Sequence, residues 1–226
     1  MAADEVLLEK ASAGQASLRF YGWSHPTLSL GYFQPERLRL EDEHLAQLPY
    51  VRRPSGGMTL VHHHEITYAL AVPAGAPWHS RDSWLRRMHR IIAAALRKFG
   101  IEVHLHQAQP CERSFGPLCF HHLTEGDLLL GAAKVVGSAQ RKQRGALLQH
   151  GGILLACSPH TPTLPGIREL SGISLDVSET CTAIQNGLTA ETGWDVLLED
   201  WTIQERQRIE EITASKYTQS TWNDRR

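Results

Sequence analysis

Asp127-Leu128-Leu129-Leu130-Gly131-Ala132-Ala133-Lys134-Val135-Val136-Gly137-Ser138-Ala139 decides how the rest of the chain is read. Two apolar runs flank a glycine, which predicts paired strands joined at Gly131. Residues 147–155 form a third apolar run, interrupted on this reading by Gly151-Gly152. Working outward, residues 18–23, 27–32, 59–62 and 65–72 alternate as strands do, and residues 101–106 predict one more. Residues 82–99 carry Leu85, Met88, Ile92, Ala95, Leu96 and Phe99 at helical spacing, closed by Gly100. Residues 36–48 predict a short helix, and residues 161–178 mostly loop. Thr202 and Glu205 form a capping-box pattern before a helix reaching Tyr217. The order predicts one α/β (α+β) domain over 1–226: a mixed, mostly antiparallel sheet flanked by helices, packed to one side.

The bulk numbers bound the function. The chain has 226 residues, 42% of them hydrophobic, and a formal net charge of −1. That suits a globular domain with a sizeable core and excludes a dominant nucleic-acid footprint, which needs basic excess. No run approaches the ~18–20 apolar residues of a membrane span, and the acidic start is unlike a secretory signal. A cytoplasmic, soluble protein is expected. Cys111, Cys119, Cys157 and Cys181 fit no disulfide framework and should be free thiols. Thirteen histidines, including His62-His63-His64, His121-His122 and the pair His104 and His106, invite a metal reading. No HExxH or Cys/His ligand spacing supports it, so no metal is expected.

Three segments carry possible chemistry. Arg53-Pro54-Ser55-Gly56-Gly57 is a turn whose amides and arginines suit a carbonyl or phosphate oxygen, although a plain glycine hairpin reads the same way. Cys119 lies in a Pro/Gly-defined loop; a free thiol of pKa ~8.5 needs a cationic neighbour or a base to react. Lys134 opens an apolar strand among small residues, where it points at a partner or lies on the solvent face.

Together these segments resemble the lipoate/octanoate/biotin protein ligase-transferase family. The residues that carry the likeness run in order along nearly the whole chain. They are Phe20-Tyr21-Gly22-Trp23, Leu28-Ser29-Leu30-Gly31-Tyr32, Arg53 to Gly57 with His62, Lys134-x-x-Gly137-Ser138-Ala139-Gln140, Leu148-Gln149-His150-Gly151 and Lys216-Tyr217 with Trp222-Asn223. Cys119, fifteen residues before Lys134, is similar to the branch of octanoyltransferases that hold the acyl group as a cysteine thioester.

The resemblance implies octanoyl-loaded acyl carrier protein as donor and a lipoyl-domain lysine as acceptor, of the glycine-cleavage H or 2-oxoacid dehydrogenase E2 kind. It implies a monomer that requires no cofactor. Cys119 and Lys134 would be catalytic, Lys134 as the thiolate's counter-charge, with Lys134 or a water near it as proton acceptor for the amine. Arg53, Ser55, Gly56, Gly57, His62, Gly137, Ser138, Ala139, Gln149, His150 and Gly151 would bind substrate. Backbone amides near Gly137-Ser138 or Gly56-Gly57 would hold the oxyanion, and an apolar tunnel the acyl chain.

Three departures stand near the expected pocket: His63 where the family has Asp, Met58 where Gly or Arg is usual, and Thr124-Glu125-Gly126-Asp127-Leu128 after the cysteine. The competing readings are an ATP- and magnesium-dependent lipoate ligase, an amidotransferase between lipoyl domains, and a binder without turnover. In the last, Arg141, Lys142 and Arg144 would dock acidic carrier domains.

Overall fold

The computed structural model describes residues 1–75, 82–107 and 118–225. Among the described residues nine strands form two sheets: β1 (Ser17–Tyr21), β2 (Thr27–Leu30), β3 (Tyr50–Arg52), β4 (Leu60–His62), β5 (Glu65–Val72), β6 (His104–Leu105), β7 (Leu128–Leu130), β8 (Ala133–Gln143) and β9 (Ala146–Leu154). The larger sheet has the order β1-β5-β9-β8-β7-β6, with every neighbour antiparallel. The smaller has the order β3-β2-β4 and is mixed, since β2 runs parallel to β3 and antiparallel to β4. The mixed, mostly antiparallel sheet flanked by helices is therefore present.

The helices are α1 (Ala2–Ser12), α2 (Glu43–Ala46), α3 (Trp84–Arg97), α4 (Ile167–Ser171), α5 (Val177–Thr192), α6 (Ile203–Ile212) and α7 (Ser220–Asn223). They cover both faces of the larger sheet, not one. The even residues of β5, Ile66, Tyr68, Leu70 and Val72, pack with Met88 and Ile92 of α3 and Ile184 of α5. The odd residues Ala69 and Ala71 pack with Leu7 and Leu8 of α1. Successive strand side chains point to opposite faces, so β5 is buried along its whole length.

Four helices are absent from the sequence reading: the short α4, inside the stretch read as loop, the short α7, and two longer ones. The first, α1, is a short run without strong patterning. The second, α5, does carry signals: Asp176 caps it through Glu179 N, and Gly193 ends it in the left-handed region. Its Gly187 disguises it, yet a Cβ there would come within 2.9 Å of Ile91, so the glycine sets the close approach of α5 to α3. Residues 36–48 make two single turns, Glu36–Arg39 and Glu43–Ala46, and the strand of residues 101–106 shrinks to His104–Leu105.

β9 runs unbroken through Gly151-Gly152. A Cβ on Gly151 would collide with Ser138 Oγ and the Gly137 carbonyl, and one on Gly152 would lie 2.9 Å from Glu65 Oε2. The pair makes room for neighbouring polar groups instead of ending the strand.

Candidate active site

A cavity of about 140 Å³ opens where the smaller sheet meets β8 and β9. Cys119, Lys134, Arg53, Gly57, His62, Gly137, Ser138, Ala139, His150 and Gly151 all line it. Met58, already noted as a departure near the expected pocket, and Leu60 and Phe120 give it apolar walls.

Cys119 is half-buried and begins a single 3-10 turn, Cys119–His121. Its N–H donates to the Thr59 carbonyl at 2.6 Å, which docks the turn beside β4. Lys134 is 5% exposed. Its Nζ pairs with Asp127 Oδ2 at 2.7 Å and donates to the His122 carbonyl at 3.0 Å and the Cys119 carbonyl at 3.4 Å. Asp127, in the departing segment Thr124 to Leu128, is thus the lysine's counter-ion. Thr124 holds the same Asp127 oxygen through its N–H (2.7 Å) and hydroxyl (2.9 Å). The Lys134-x-x-Gly137 spacing has a steric origin: a Cβ on Gly137 would sit 2.5 Å from Lys134 Cε.

Arg53 lines the cavity, but its guanidinium is committed to the fold. It donates to the carbonyls of Gly56 (3.0 Å), Met58 (2.5 Å) and Ser29 (3.0 Å) and to Ser29 Oγ. Burial disfavours its charge, and a thiolate at Cys119 would favour it. Arg53 therefore braces the glycine loop while placing positive charge near the cysteine. Gly57, at φ +94°, lies at the cavity wall.

His62 is buried. Its Nδ1 pairs with Glu65 Oε1 at 2.6 Å, its Nε2 meets Ser29 Oγ at 2.8 Å, and the Trp23 ring stacks on it at 4.1 Å. Glu65 of β5 gives His62 a carboxylate partner, and His63 meets Ser158 Oγ. Thr67 donates to the same Glu65 oxygen at 2.5 Å.

Ser55, Gly56 and Gln149 do not line the cavity. Ser55 Oγ meets His150 Nε2 at 2.5 Å, and Gln149 is fully buried, donating to Tyr68 Oη at 2.8 Å. Ser55 thus supports His150 on the cavity wall, and Gln149 reaches the wall only through Tyr68, which meets Ser138. Arg141, expected with Lys142 and Arg144 as a docking cation, is half-buried and donates to the Pro54 carbonyl. Cys157 and Cys181 lie away from the cavity, and Cys111 falls outside the described residues. Among the described residues no three His, Cys, Asp or Glu side chains are placed to hold a metal ion, and no helix is long and apolar enough to cross a membrane.

The sequence model of the lipoyl protein ligase A/B catalytic domain matches residues 1–175. The chain belongs to this family. It is 31% identical to an octanoyltransferase LipM of Kyrpidia tusciae, covering 100% of this chain and 94% of the relative. It is 28% identical to the octanoyltransferase LipM of Bacillus subtilis, covering 100% and 93%. Among solved structures it resembles a lipoate-protein ligase A bound with ATP, at a TM-score of 0.81 and 19% identity over 99% of this chain and 92% of that one. A ligase from Thermoplasma acidophilum, studied with its E2 lipoyl domain, matches at a TM-score of 0.73 and 19% identity over 99% and 89%. The family and the fold expected from the motifs are both borne out.

Proposed function

We propose that this chain is an octanoyltransferase that carries the acyl group as a thioester on Cys119 and delivers it to a lysine of a lipoyl domain. The observation that carries this reading is the placement of Cys119 and Lys134 on one small, apolar-walled cavity. Full-length likeness to octanoyltransferases supports it.

The donor is octanoyl-loaded acyl carrier protein. A Cys119 thiolate, on the same cavity as Lys134 and Arg53, attacks the donor thioester, and the carrier thiol leaves. Gly57 and Gly137 line the same cavity, and amides around them would hold the developing oxyanion. The acceptor amine then attacks the acyl-enzyme and releases Cys119. This route uses neither ATP nor magnesium.

The sequence reading gave Lys134 a second role as proton acceptor. Its ion pair with buried Asp127 and its two carbonyl partners hold it as an ammonium, so it serves as a fixed positive charge. The ATP-dependent ligase reading loses a phosphate-binding group, because the Arg53 fork is already spent on backbone carbonyls.

Intact-protein mass spectrometry after mixing with octanoyl-loaded acyl carrier protein, without ATP, tests the proposal. A hydroxylamine-labile octanoyl adduct is expected on the wild type and not on Cys119→Ala. No wild-type adduct, with acceptor modification appearing only when lipoate and ATP are added, would move the assignment to the ligase.

A further inference from the structure

One polar side chain on the cavity wall has its hydrogen-bond directions fixed by the fold behind it. Ser138 Oγ lies 2.6 Å from His89 Nε2 and 2.5 Å from Tyr68 Oη. His89 Nδ1 lies 2.5 Å from the Gly126 carbonyl. A carbonyl only accepts, so Nδ1 carries the hydrogen. Burial drives His89 down to about 4, so the ring is neutral and Nε2 is an acceptor.

Ser138 must therefore donate its only proton to His89. Tyr68 must donate to Ser138, and Tyr68 in turn accepts from Gln149 Nε2. Gln149 Oε1 accepts from Gln140 Nε2 at 2.8 Å, so every link runs in one direction. A hydroxyl has one proton and two lone pairs. With the proton and one lone pair used, Ser138 has a single lone pair left to offer the cavity. Gly151 leaves the space for it, since a Cβ there would collide with Ser138 Oγ.

We propose that Ser138 accepts a hydrogen bond from the attacking amine of the acceptor lysine, and that His89 and Tyr68 are positioning residues that keep its hydroxyl proton away from the cavity. This rests on the octanoyltransferase reading. With one N–H held by Ser138, the nitrogen lone pair is aimed at the thioester carbonyl. The C–N bond forms, the C–S bond breaks, and the proton lost by the amine ends on the Cys119 sulfur. The first half-reaction has a sulfur nucleophile with no N–H, so it makes no use of this acceptor.

The test measures the two half-reactions separately, reading the ratio of aminolysis to acylation rates. Acylation is followed as octanoyl adduct formation from octanoyl-loaded acyl carrier protein. Aminolysis is followed as loss of that adduct from isolated acyl-enzyme when a lipoyl domain is added. Ser138→Ala should lower the ratio by about tenfold or more, the equivalent of one lost hydrogen bond at the reacting atom. His89→Leu, which frees the hydroxyl to rotate, should lower it less. His89→Gln, whose amide can accept from Ser138 and donate to Gly126, should restore it. A Ser138→Ala ratio equal to wild type overturns the proposal, as does a His89→Gln ratio no better than that of His89→Leu. Thermal unfolding of each variant identifies any that fail to fold, and the Leu/Gln pair then decides. If the wild type forms no adduct, the octanoyltransferase reading itself fails, visibly before any variant is compared, and this inference falls with it.

Discussion

The two faces of the central sheet bury polar groups in opposite ways. On the α1 face, His150 Nδ1 lies 3.3 Å from Asp4 Oδ2, and Asp4 also accepts from Arg19 (3.0 Å) and Tyr21 (3.2 Å). On the α3 face the chain Gln140, Gln149, Tyr68, Ser138 and His89 contains no formal charge. The strand register separates them: Ala69 and Ala139 flank His150, while Tyr68 and Ser138 flank Gly151. One step along β9 moves from a charged network to a neutral one. The charged one ties helix, sheet and glycine loop together and depends on every partner. The neutral one sets the direction of a hydroxyl without adding a further charge beside the Lys134–Asp127 pair.

Removing Asp4 should have the largest effect. Burial raises its carboxyl, but the Met1 ammonium, His150 and Arg19 together hold it well below the usual carboxylate range. Asp4→Ala leaves Arg19 and His150 without their anion and should cost about 3 kcal/mol in urea unfolding, as for other broken buried pairs. A cost below about 1 kcal/mol would mean that the charged network is not a structural tie.

Acidification probes the other face. The folded state holds His89 at about 4, while an unfolded histidine titrates near 6.5. Between those values the unfolded chain binds more protons, so stability rises with pH and is lost as pH falls from about 6.5 towards about 4. The full window is worth on the order of 3 kcal/mol. Burial lowers His150 as well, despite Asp4, and adds to the same slope. Asp4 acts lower, its contribution being present above ~4 and lost below it. Unfolding of His89→Gln across this range should show a visibly shallower slope than wild type; an equal slope would assign the loss to His150 and the carboxylates.

The smallest change is Tyr68→Phe, which removes one donor from the neutral chain and leaves Gln149 without its acceptor. Burial pushes the Tyr68 phenol up to about 12, so only its neutral hydrogen bonds are lost. A cost of about 1–2 kcal/mol is expected in the same urea experiment. A cost as large as that of Asp4→Ala would remove the distinction between the faces.

Particular residues show where the sequence was legible. The strands around Lys134 were legible as apolar runs, because both of their faces are buried there, and the helix at residues 84–97 followed its periodicity, because one face is buried. Cys119 and Lys134 were singled out by motif, and the fold places both on one cavity. Asp4, Glu65, His89 and Tyr68 were not recognised as parts of the site. Asp4 is remote in sequence from His150, and Glu65 and Tyr68 read as ordinary strand residues. His89 lies on the buried face of a strongly amphipathic helix, next to Met88, and that was the one available signal.

The sequence by itself determined the family and the antiparallel core and singled out Cys119 and Lys134, since those readings depend on local pattern and ordered motifs. Only the tertiary structure decided what each polar group does. It gave Lys134 its carboxylate, spent Arg53 on the loop, and turned the Ser138 proton towards His89. A hydrogen bond's direction depends on what burial places opposite each atom, and those partners come from helices and strands far apart along the chain.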